Sequence, residues 1–427
     1  MSLAVPKPLQ SSEVLQSLGT RRYLSQTVRV WLGIADAHTE VPTLPPELAR
    51  ILMRLEEYEL SHRDRWGCWD FGSSENFHAG NLWDPEIDRW LVKQRAKLVG
   101  KAALEPLWPN GSRFAVCLTH DVDLLSSHYT PRQAGRFARA GLAPGVAGTG
   151  ERFLRIARPG VRMARSIRSR IATAPSVAET LERSMSAEAS RGVTASYFFT
   201  APPAAPHSRY DCVYAPADRC RFRGAKVRVA DVMRALAAEG FDVGLHGGYA
   251  AALASGALAA QRRTLEAATG LQLTTTRQHF LRWDIRTTPS LQEEARLEVD
   301  SSLGFNRNVG FRAGTGLPFH LFDAASGRPL RLLEVPLVVE DTALLADGGL
   351  ELDDALARRV IGLILDTTAA VGGAVTLLFH PDKFVRPEWL ALYEWSIDRA
   401  LERQAWVTSL RGMGDWWHVR EARVLAG

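Results

Sequence analysis

From residue 114 onward, short apolar runs rich in Val, Phe, Leu and Thr alternate with segments that have helical periodicity. The runs lie at 114–123, 193–200, 241–249, 273–281, 297–303, 332–340 and 374–381. Helices between them are predicted at 177–190, 229–239, 258–269, 290–296 and 353–371. Strands that alternate with helices imply a parallel sheet, and seven such units imply a closed or nearly closed α/β barrel. With 427 residues, 46% of them apolar, the chain can bury such a core.

Residues 1–110 follow a different pattern and are predicted to form a separate, mainly helical region before a barrel at 111–427. Helices are predicted at 45–62 and 85–99, on either side of a segment rich in tryptophan and glycine. The aromatic side chains of that segment suit either a sugar-binding platform or a small aromatic core. They are Trp66, Trp69, Phe71, Phe77 and Trp83.

The cysteine content, the N-terminal segment and the hydropathy argue against a disulfide scaffold, a Cys-rich zinc site, a secretory signal and a membrane span. The four cysteines contain no C-x-x-C pair, which argues against a disulfide scaffold and a Cys-rich zinc site. The N-terminus lacks a basic segment followed by an apolar one, so we expect a cytoplasmic protein. The apolar stretch at 360–379 reaches membrane-spanning length, but Asp366 and the Gly372-Gly373 pair indicate a helix, a turn and a buried strand instead.

A basic insertion is predicted at about 131–172. Ten arginines and a single acidic residue lie between Pro131 and Arg170, and apolar residues recur there at nearly helical spacing. Such a segment can pack on the domain as a surface insertion, lie on an anionic membrane at its inner face, or bind phosphate groups. Nucleic acid is not expected as a partner, because no recognition-helix or aromatic basic-sheet pattern accompanies the charge.

Two carboxylates follow the first apolar run. Asp121 and Asp123 are two residues apart, so on an extended chain both point to the same side. At the carboxyl end of a barrel strand, such a pair suits one group that binds a metal and one that acts as a base. A turn or a cap is the alternative for a D-x-D pair taken alone.

The segments LTHDVD, VGLHGGY and LLFHP, in this order, resemble the polysaccharide deacetylase family with the NodB homology domain. The resemblance covers about residues 113–411 and implies a distorted (β/α)7 barrel that hydrolyses a sugar acetamide with a divalent metal, usually zinc. By position, Asp121 matches the catalytic base and Asp123 a metal ligand. His246 matches the first ligand histidine, and His380 matches the general acid.

The chain departs from this family at one ligand position. The second ligand histidine normally lies four residues after the first, and Ala250 occupies that position here. His279 stands where the third motif, Arg277-Gln278-His279-Phe280, would have proline. We therefore expect Asp123, His246 and His279 as ligands, since zinc takes these types. The alternatives are a lost metal site in a glycan-binding protein, or a ligand such as His207.

The remaining polar residues carry less specific expectations. Arg277 is predicted to orient the base carboxylate, as the matching arginine does in the family. Tyr249, Asp300 and Arg312 are predicted to contact substrate, although Asp300 could cap a helix and Arg312 could form a surface ion pair. Glu334 and Asp341 flank the run at 332–340 and are further candidates.

Together these features predict metal-assisted removal of an N-acetyl group from a sugar or glycan intermediate, such as a nucleotide-linked or lipid-linked one. Asp121 would take a proton from the attacking water, and His380 would give one to the departing amine. Hydrolysis of another C–N bond in a small molecule is the second hypothesis. A non-catalytic glycan-binding or membrane-binding protein is the third.

Overall fold

The computed structural model describes residues 11–60, 62–125, 177–202, 208 and 210–426. The predicted basic insertion at 131–172 and His207 lie outside the described residues. The strands are β1 (Phe114–Asp121), β2 (Ser196–Phe199), β3 (Arg219–Phe222), β4 (Ala225–Arg228), β5 (Asp242–Gly247), β6 (Thr275–Gln278), β7 (Val299–Asp300), β8 (Phe319–Asp323), β9 (Arg328–Glu334), β10 (Leu337–Glu340), β11 (Ala374–Leu378) and β12 (Ala405–Thr408).

The helices fall into two groups. Those before β1 are α1 (Ser11–Gln16), α2 (Leu18–Leu32), α3 (Pro46–Leu52), α4 (Leu55–Glu59), α5 (Glu75–His78) and α6 (Glu86–Leu98). Those after it are α7 (Val177–Ala189), α8 (Val229–Ala238), α9 (Ala257–Thr269), α10 (Thr288–Glu294), α11 (Asp341–Leu345), α12 (Asp354–Val371), α13 (Pro387–Glu402) and α14 (Leu410–Ala426).

The main sheet follows the strand order β10-β11-β1-β2-β5-β6-β7-β9-β8, and β12 pairs separately with β1. Every pairing from β10 to β9 along this path is parallel, while β8 lies antiparallel to β9. β3 and β4 form a separate hairpin. Because the core of the sheet is parallel, the carboxyl ends of its strands meet at one edge.

The connection from β9 to β10 curls this sheet into a distorted barrel. Our prediction of one strand over 332–340 was wrong, because Pro336 has no N–H to continue a ladder and the run divides there. β9 pairs with β7 and β10 pairs with β11, towards the two ends of the path. Three residue steps from Glu334 to Leu337 span at most about 11 Å. The two ends must therefore approach each other, which confirms the predicted distorted (β/α) barrel.

The apolar stretch at 360–379 has the predicted form of a helix, a turn and a strand. α12 ends at Val371, Gly372 adopts a left-handed conformation (φ 70°), and β11 follows as a fully buried strand. A left-handed residue just past a helix favours glycine because it has no Cβ. None of the helices in the described part of the chain has the length and apolar character needed to cross a bilayer.

The N-terminal residues are mainly helical, as predicted, and they pack on the barrel. The predicted helix at 45–62 is divided into α3 and α4, because Arg54 has a left-handed backbone (φ 54°). The Trp31 indole N–H donates to the carbonyl of Pro318 (2.9 Å), and the Trp108 indole N–H donates to that of Gly372 (2.7 Å). Hydrogen bonds therefore cross the boundary predicted near residue 110.

Candidate active site

The site lies at the carboxyl edge of the parallel sheet, and β1 brings two carboxylates to it. Asp121 is the last residue of β1, and the backbone N–H of Val122 still donates to the carbonyl of Phe198 on β2 (3.0 Å). Because the chain stays extended here, Asp121 and Asp123 point to the same side and both line one cavity. The two carboxylates predicted from the D-x-D spacing therefore share one site.

β5 and β6 are adjacent strands and bring two histidines to the same point. His246 lies on β5 and is fully buried, and its Nε2 lies 3.2 Å from Oδ1 of Asp123. His279 follows β6, and its Nε2 lies 3.6 Å from the same oxygen. The next two residues, Phe280 and Leu281, have left-handed backbones (φ 60° and 46°). For non-glycine residues such a conformation is uncommon, and it often occurs beside functional groups.

Cys212 is a fourth potential ligand that sequence reasoning missed. Its Sγ lies 3.7 Å from Oδ1 of Asp123 and 3.8 Å from Nε2 of His279. One ligand atom from each of Asp123, Cys212, His246 and His279 lies within 4.8 Å of the others. Cys212 lies outside every predicted strand and belongs to no ligand motif, so no spacing in the sequence could have identified it.

The buried polar atoms at this point fit a divalent metal. The Nδ1 of His246 lies 3.1 Å from the carbonyl oxygen of Arg277, which places the ring proton on Nδ1 and leaves a lone pair on Nε2. Among the described residues, Nε2 of His246 and Oδ1 of Asp121 are buried without a hydrogen-bond partner. Nε2 faces a carboxylate oxygen at 3.2 Å, where a proton or a metal ion can satisfy both atoms, and the nitrogen, oxygen and sulfur set suits zinc.

In the metal-free protein the same contacts shift the pKa values of this cluster. Burial disfavours charge on Asp123, but His279 and His246 hold the pKa of its carboxyl well below the usual range. Burial also opposes charge on His246, yet the carboxylates of Asp121 and Asp123 raise the pKa of its ring. The site therefore favours a carboxylate at Asp123, which is the form that binds a metal.

His380 lies across the cavity and is held by an aspartate. Asp341, the first residue of α11, accepts hydrogen bonds from the backbone N–H of His380 (2.8 Å) and from its Nδ1 (2.7 Å). This contact leaves Nε2 facing the cavity, 3.9 Å from Oδ2 of Asp123. Burial alone would lower the pKa of His380, but the carboxylate of Asp341, together with those of Asp123 and Asp121, raises it to about 10.

A cavity of about 250 Å³ joins these groups, and the N-terminal region supplies one wall. Trp66 lines it beside Phe280, with the two ring centroids 6.3 Å apart. The backbone carbonyl of Trp66 accepts a hydrogen bond from the Tyr249 hydroxyl (2.5 Å). The other lining residues include Leu281, Asn306, Glu340, Thr342, Asp347, Leu378 and Lys383. Burial raises the pKa of the Glu340 carboxyl to about 7.

The structure places Arg277 below the site and does not pair it with Asp121. Arg277 is fully buried, and its Nη2 donates to the hydroxyls of Thr119 (3.1 Å) and Ser301 (3.0 Å). Its guanidinium also lies over the ring of Phe198. The expected contact with the base carboxylate is therefore replaced by contacts with neighbouring strands.

The three predicted substrate contacts lie outside the cavity lining of the described residues. Asp300 is fully buried, and its Oδ1 accepts from the Ser302 hydroxyl (2.6 Å). Arg312 is 1% exposed and donates to both carboxylate oxygens of Glu57. The prediction of a substrate contact is wrong for both, since a partner within the fold occupies each. The Tyr249 hydroxyl donates a hydrogen bond to the backbone carbonyl of Trp66, and the guanidinium of Arg282 lies over the Tyr249 ring.

No protein-family model and no curated protein matches the chain. Among solved structures, it is similar to a protein named as a polysaccharide deacetylase from Mycobacterium smegmatis, with 18% identity and a TM-score of 0.48 over 75% of this chain and 95% of that one. It is similar to Puue allantoinase, with 17% identity and a TM-score of 0.44 over 75% and 95%. A protein named as a polysaccharide deacetylase from Pseudomonas aeruginosa PAO1 gives 17% identity and a TM-score of 0.43 over 75% and 96%. At these values we infer nothing from them about the chain.

Proposed function

We propose that the chain is a metal-dependent hydrolase that removes an N-acetyl group from a sugar. One observation carries the proposal. A buried cluster of metal-ligand types, with the carboxylate of Asp121 beside it, faces His380 across a single cavity. A metal site, a base and an acid around one cavity are the parts that amide hydrolysis requires.

Asp123, His246 and His279 would hold the metal, and zinc is the metal that this donor set suits best. When bound, a divalent metal polarises an acyl carbonyl and lowers the pKa of water. Asp121 acts as the base, because its Oδ1 is buried, lacks a hydrogen-bond partner among the described residues and lines the cavity. It takes the proton of the attacking water.

His380 acts as the general acid. With its pKa at about 10, the ring is protonated at neutral pH. Asp341 binds the Nδ1 proton, so the Nε2 proton faces the cavity and can pass to the departing amine. Asp341 thereby sets both the charge and the direction of the acid.

The size of the cavity favours a small substrate. The described residues line about 250 Å³ of a cavity that is open to solvent, a volume below the roughly 300–1,000 Å³ of ordinary ligand pockets. Trp66 and Phe280 form an apolar wall that suits the face of one sugar ring. A single N-acetylated sugar unit is therefore the favoured substrate class, and hydrolysis of another small amide is the second candidate.

Metal analysis together with acetate release tests this proposal. Purified protein should contain zinc and release acetate faster from an N-acetylated monosaccharide than from a long N-acetylated oligomer. Asp121→Asn should abolish release while retaining the metal, and His380→Ala should lower kcat by about 10²–10⁴-fold. The exposed carboxylate and imidazole of Asp415 and His78 provide matched controls, Asp415→Asn and His78→Ala, which should leave both readouts unchanged.

Three results would contradict the proposal. Full activity of Asp121→Asn or His380→Ala would show that these roles are wrongly assigned. Hydrolytic ring opening of a small cyclic amide, without acetate release from any sugar, would favour the second candidate. A metal-free protein that binds N-acetylated sugars without turnover would identify a glycan-binding protein.

A further inference from the structure

We propose that Cys212 binds the metal as a thiolate, so that the centre has four protein ligands and excludes water from its resting coordination. This inference rests on the proposed function only in placing a metal at Asp123. It concerns a residue that belongs to no ligand motif in the sequence and that lies in the loop before β3.

The distances between the ligand atoms match a tetrahedral site. With zinc bonds of 2.0–2.2 Å to nitrogen and oxygen and 2.3 Å to one sulfur, tetrahedral geometry requires ligand atoms about 3.3–3.7 Å apart. Oδ1 of Asp123 lies 3.2 Å from Nε2 of His246 and 3.6 Å from Nε2 of His279. Sγ of Cys212 lies 3.7 Å from that oxygen and 3.8 Å from Nε2 of His279. Four of the six distances between the ligand atoms are therefore close to those expected around a bound metal.

Hydrogen bonds on either side of Cys212 hold its loop at this position. Asp211 accepts from the backbone N–H of Tyr249 (2.8 Å), three residues after His246. The Tyr214 hydroxyl donates to the carbonyl of Val122 (2.6 Å), the residue between the two aspartates. Each anchor fixes the loop to a segment that carries another ligand. The position of Sγ is therefore set by the same strands that set Asp123 and His246.

The buried Nε2 of His246 also indicates a cation at this point. It has no hydrogen-bond partner among the described residues and lies beside the carboxylate of Asp123. A divalent cation between these two atoms satisfies the nitrogen, and Sγ of Cys212 lies within 4.8 Å of both.

Thiolate binding changes the character of the centre. When the metal binds, the Cys212 thiol loses its proton to solvent and the sulfur forms a bond to the metal. One carboxylate and one thiolate then neutralise a divalent charge, whereas a carboxylate and two imidazoles leave one positive charge. Sulfur ligation also favours zinc and cobalt over magnesium, calcium and manganese, which prefer oxygen. The attacking water and the substrate must therefore bind by expanding the coordination or by displacing Cys212.

Cobalt substitution tests the inference without relying on turnover. Co²⁺ added to the metal-free protein should give an intense near-ultraviolet sulfur-to-metal charge-transfer band and visible bands of tetrahedral strength. Cys212→Ser should lose the charge-transfer band and bind Co²⁺ at least about tenfold more weakly, since even the loss of a residue that only orients a ligand has that effect. Cys220→Ser alters a buried thiol of the β3–β4 hairpin and should retain the band.

A second measurement needs no variant. Bound zinc should slow alkylation of Cys212 by iodoacetamide, read by mass spectrometry, while the rate at Cys220 stays unchanged. Equal rates at Cys212 with and without zinc would overturn the inference.

The outcomes separate this inference from the proposed function. Cobalt binding without a charge-transfer band in the wild-type protein overturns the role of Cys212 and leaves the proposed function standing. Charge transfer that depends on Cys212, in a protein that releases no acetate, supports the inference and contradicts the proposed function. No cobalt binding at all overturns both.

Discussion

Asp341 orients His380 and is the neighbour that contributes most to its charge. Nδ1 of the ring and its backbone N–H both contact that carboxylate, which together with Asp123 and Asp121 raises the pKa of His380 to about 10. The two residues lie on different elements, at the end of β11 and the start of α11. An acid of this kind depends on the register between β10 and β11 as much as on its own chemistry.

Replacement of Asp341 by Asn should weaken the acid. With the negative charge removed, the pKa of His380 falls, so the ring loses its proton at a lower pH. We expect kcat to drop by about 10–100-fold at neutral pH, as for other orienting residues, and the alkaline limb of the kcat/KM profile to move to lower pH. Asp398→Asn, which removes an exposed carboxylate paired with Arg191, is the control. An unshifted alkaline limb in Asp341→Asn would contradict the assignment.

A second buried carboxylate affects stability rather than chemistry. Asp88 on α6 is 1% exposed, and the Thr315 hydroxyl donates to it from the barrel. Burial raises its pKa from 3.8 to about 7, and Asp84 adds to this shift. The folded protein thus favours the protonated form, and the corresponding stability is complete below pH 3.8 and is lost as the pH rises through about 7.

Urea denaturation at two pH values tests the contribution of Asp88. Between pH 5 and pH 8 this group should lower the free energy of unfolding by about 2–3 kcal/mol. The Asp88→Asn side chain cannot ionise. Between pH 5 and pH 8 the free energy of unfolding of this variant should therefore fall by about 2–3 kcal/mol less than that of the wild type. Parallel changes in wild type and variant would show that Asp88 titrates normally.

At the scale of elements, the close approach of neighbouring strands limits substitutions at one glycine. Gly244 lies on β5 between β2 and β6. A Cβ built there would lie 2.5 Å from Cδ1 of Phe198 and 2.5 Å from the Thr275 hydroxyl. Only glycine therefore lets the three strands pack at their present distance.

Two glycine substitutions should have opposite effects on stability. Gly244→Ala should destabilise the protein by about 1–3 kcal/mol through overpacking. Gly362→Ala lies in α12, where the new Cβ meets only Trp395 at 3.6 Å, and should stabilise by up to about 1 kcal/mol through helix propensity. Denaturation midpoints measure both, and equal midpoints for the two variants would contradict this account.

The elements that the sequence predicts best are those marked by one clear pattern, either a continuous apolar run or helical periodicity with clear ends. β1 and β11 are fully buried apolar runs, and α12 and α6 begin and end within two residues of their predicted bounds. The β3–β4 hairpin was missed because its strands, RCRF and AKVR, carry as many basic as apolar residues. β12 was missed because four residues between two long helices give no periodicity.

The residues of the candidate site also differ in how well the sequence predicts them. Asp121, His246 and His380 follow apolar runs, and parallel strands bring such ends together, so their convergence could be predicted. Cys212 lies in a loop that long-range hydrogen bonds hold in place, and local sequence does not encode them. Arg312 appeared available in a glycine-rich loop because its partner, Glu57, is 255 positions away.

At the scale of the whole molecule, Glu57 joins the N-terminal helices to the barrel. Its carboxylate accepts from Arg54 (2.8 Å) and from Arg312 (2.7 Å), and all three side chains are at most 1% exposed. Burial opposes the charge of Glu57, but the two guanidinium groups hold the pKa of its carboxyl below the usual value.

Loss of this carboxylate should destabilise the entire fold. Glu57→Gln removes the carboxylate partner of the buried Arg312 and leaves Arg54 with that of Glu56, and breaking a buried pair costs about 3–5 kcal/mol. Thermal and urea unfolding should show this loss as one cooperative transition. The exposed residue Glu47 gives a control, Glu47→Gln, with little effect. A separate early transition in Glu57→Gln would instead indicate two independently stable regions.

A protein shortened to begin at residue 111 tests the predicted boundary directly. The shortened protein would lack Trp66, which lines the cavity, and Glu57, which pairs with Arg312. The carbonyl of Gly372 would lose its hydrogen bond from Trp108. We expect low solubility and a broad unfolding transition. A soluble, cooperatively folded product would show that the barrel is stable on its own.

The contacts of the N-terminal region also set an order of events during synthesis. Trp31, Tyr23 and Glu57 meet their partners near residues 312–320, between 255 and 297 positions further along the chain. Synthesis proceeds at about 5–20 residues per second. The apolar faces and charged groups of these helices therefore remain exposed to solvent for many seconds before their partners are synthesised. These helices are therefore synthesised well before the residues that bury them, and in that interval a nascent chain is exposed to aggregation and proteolysis.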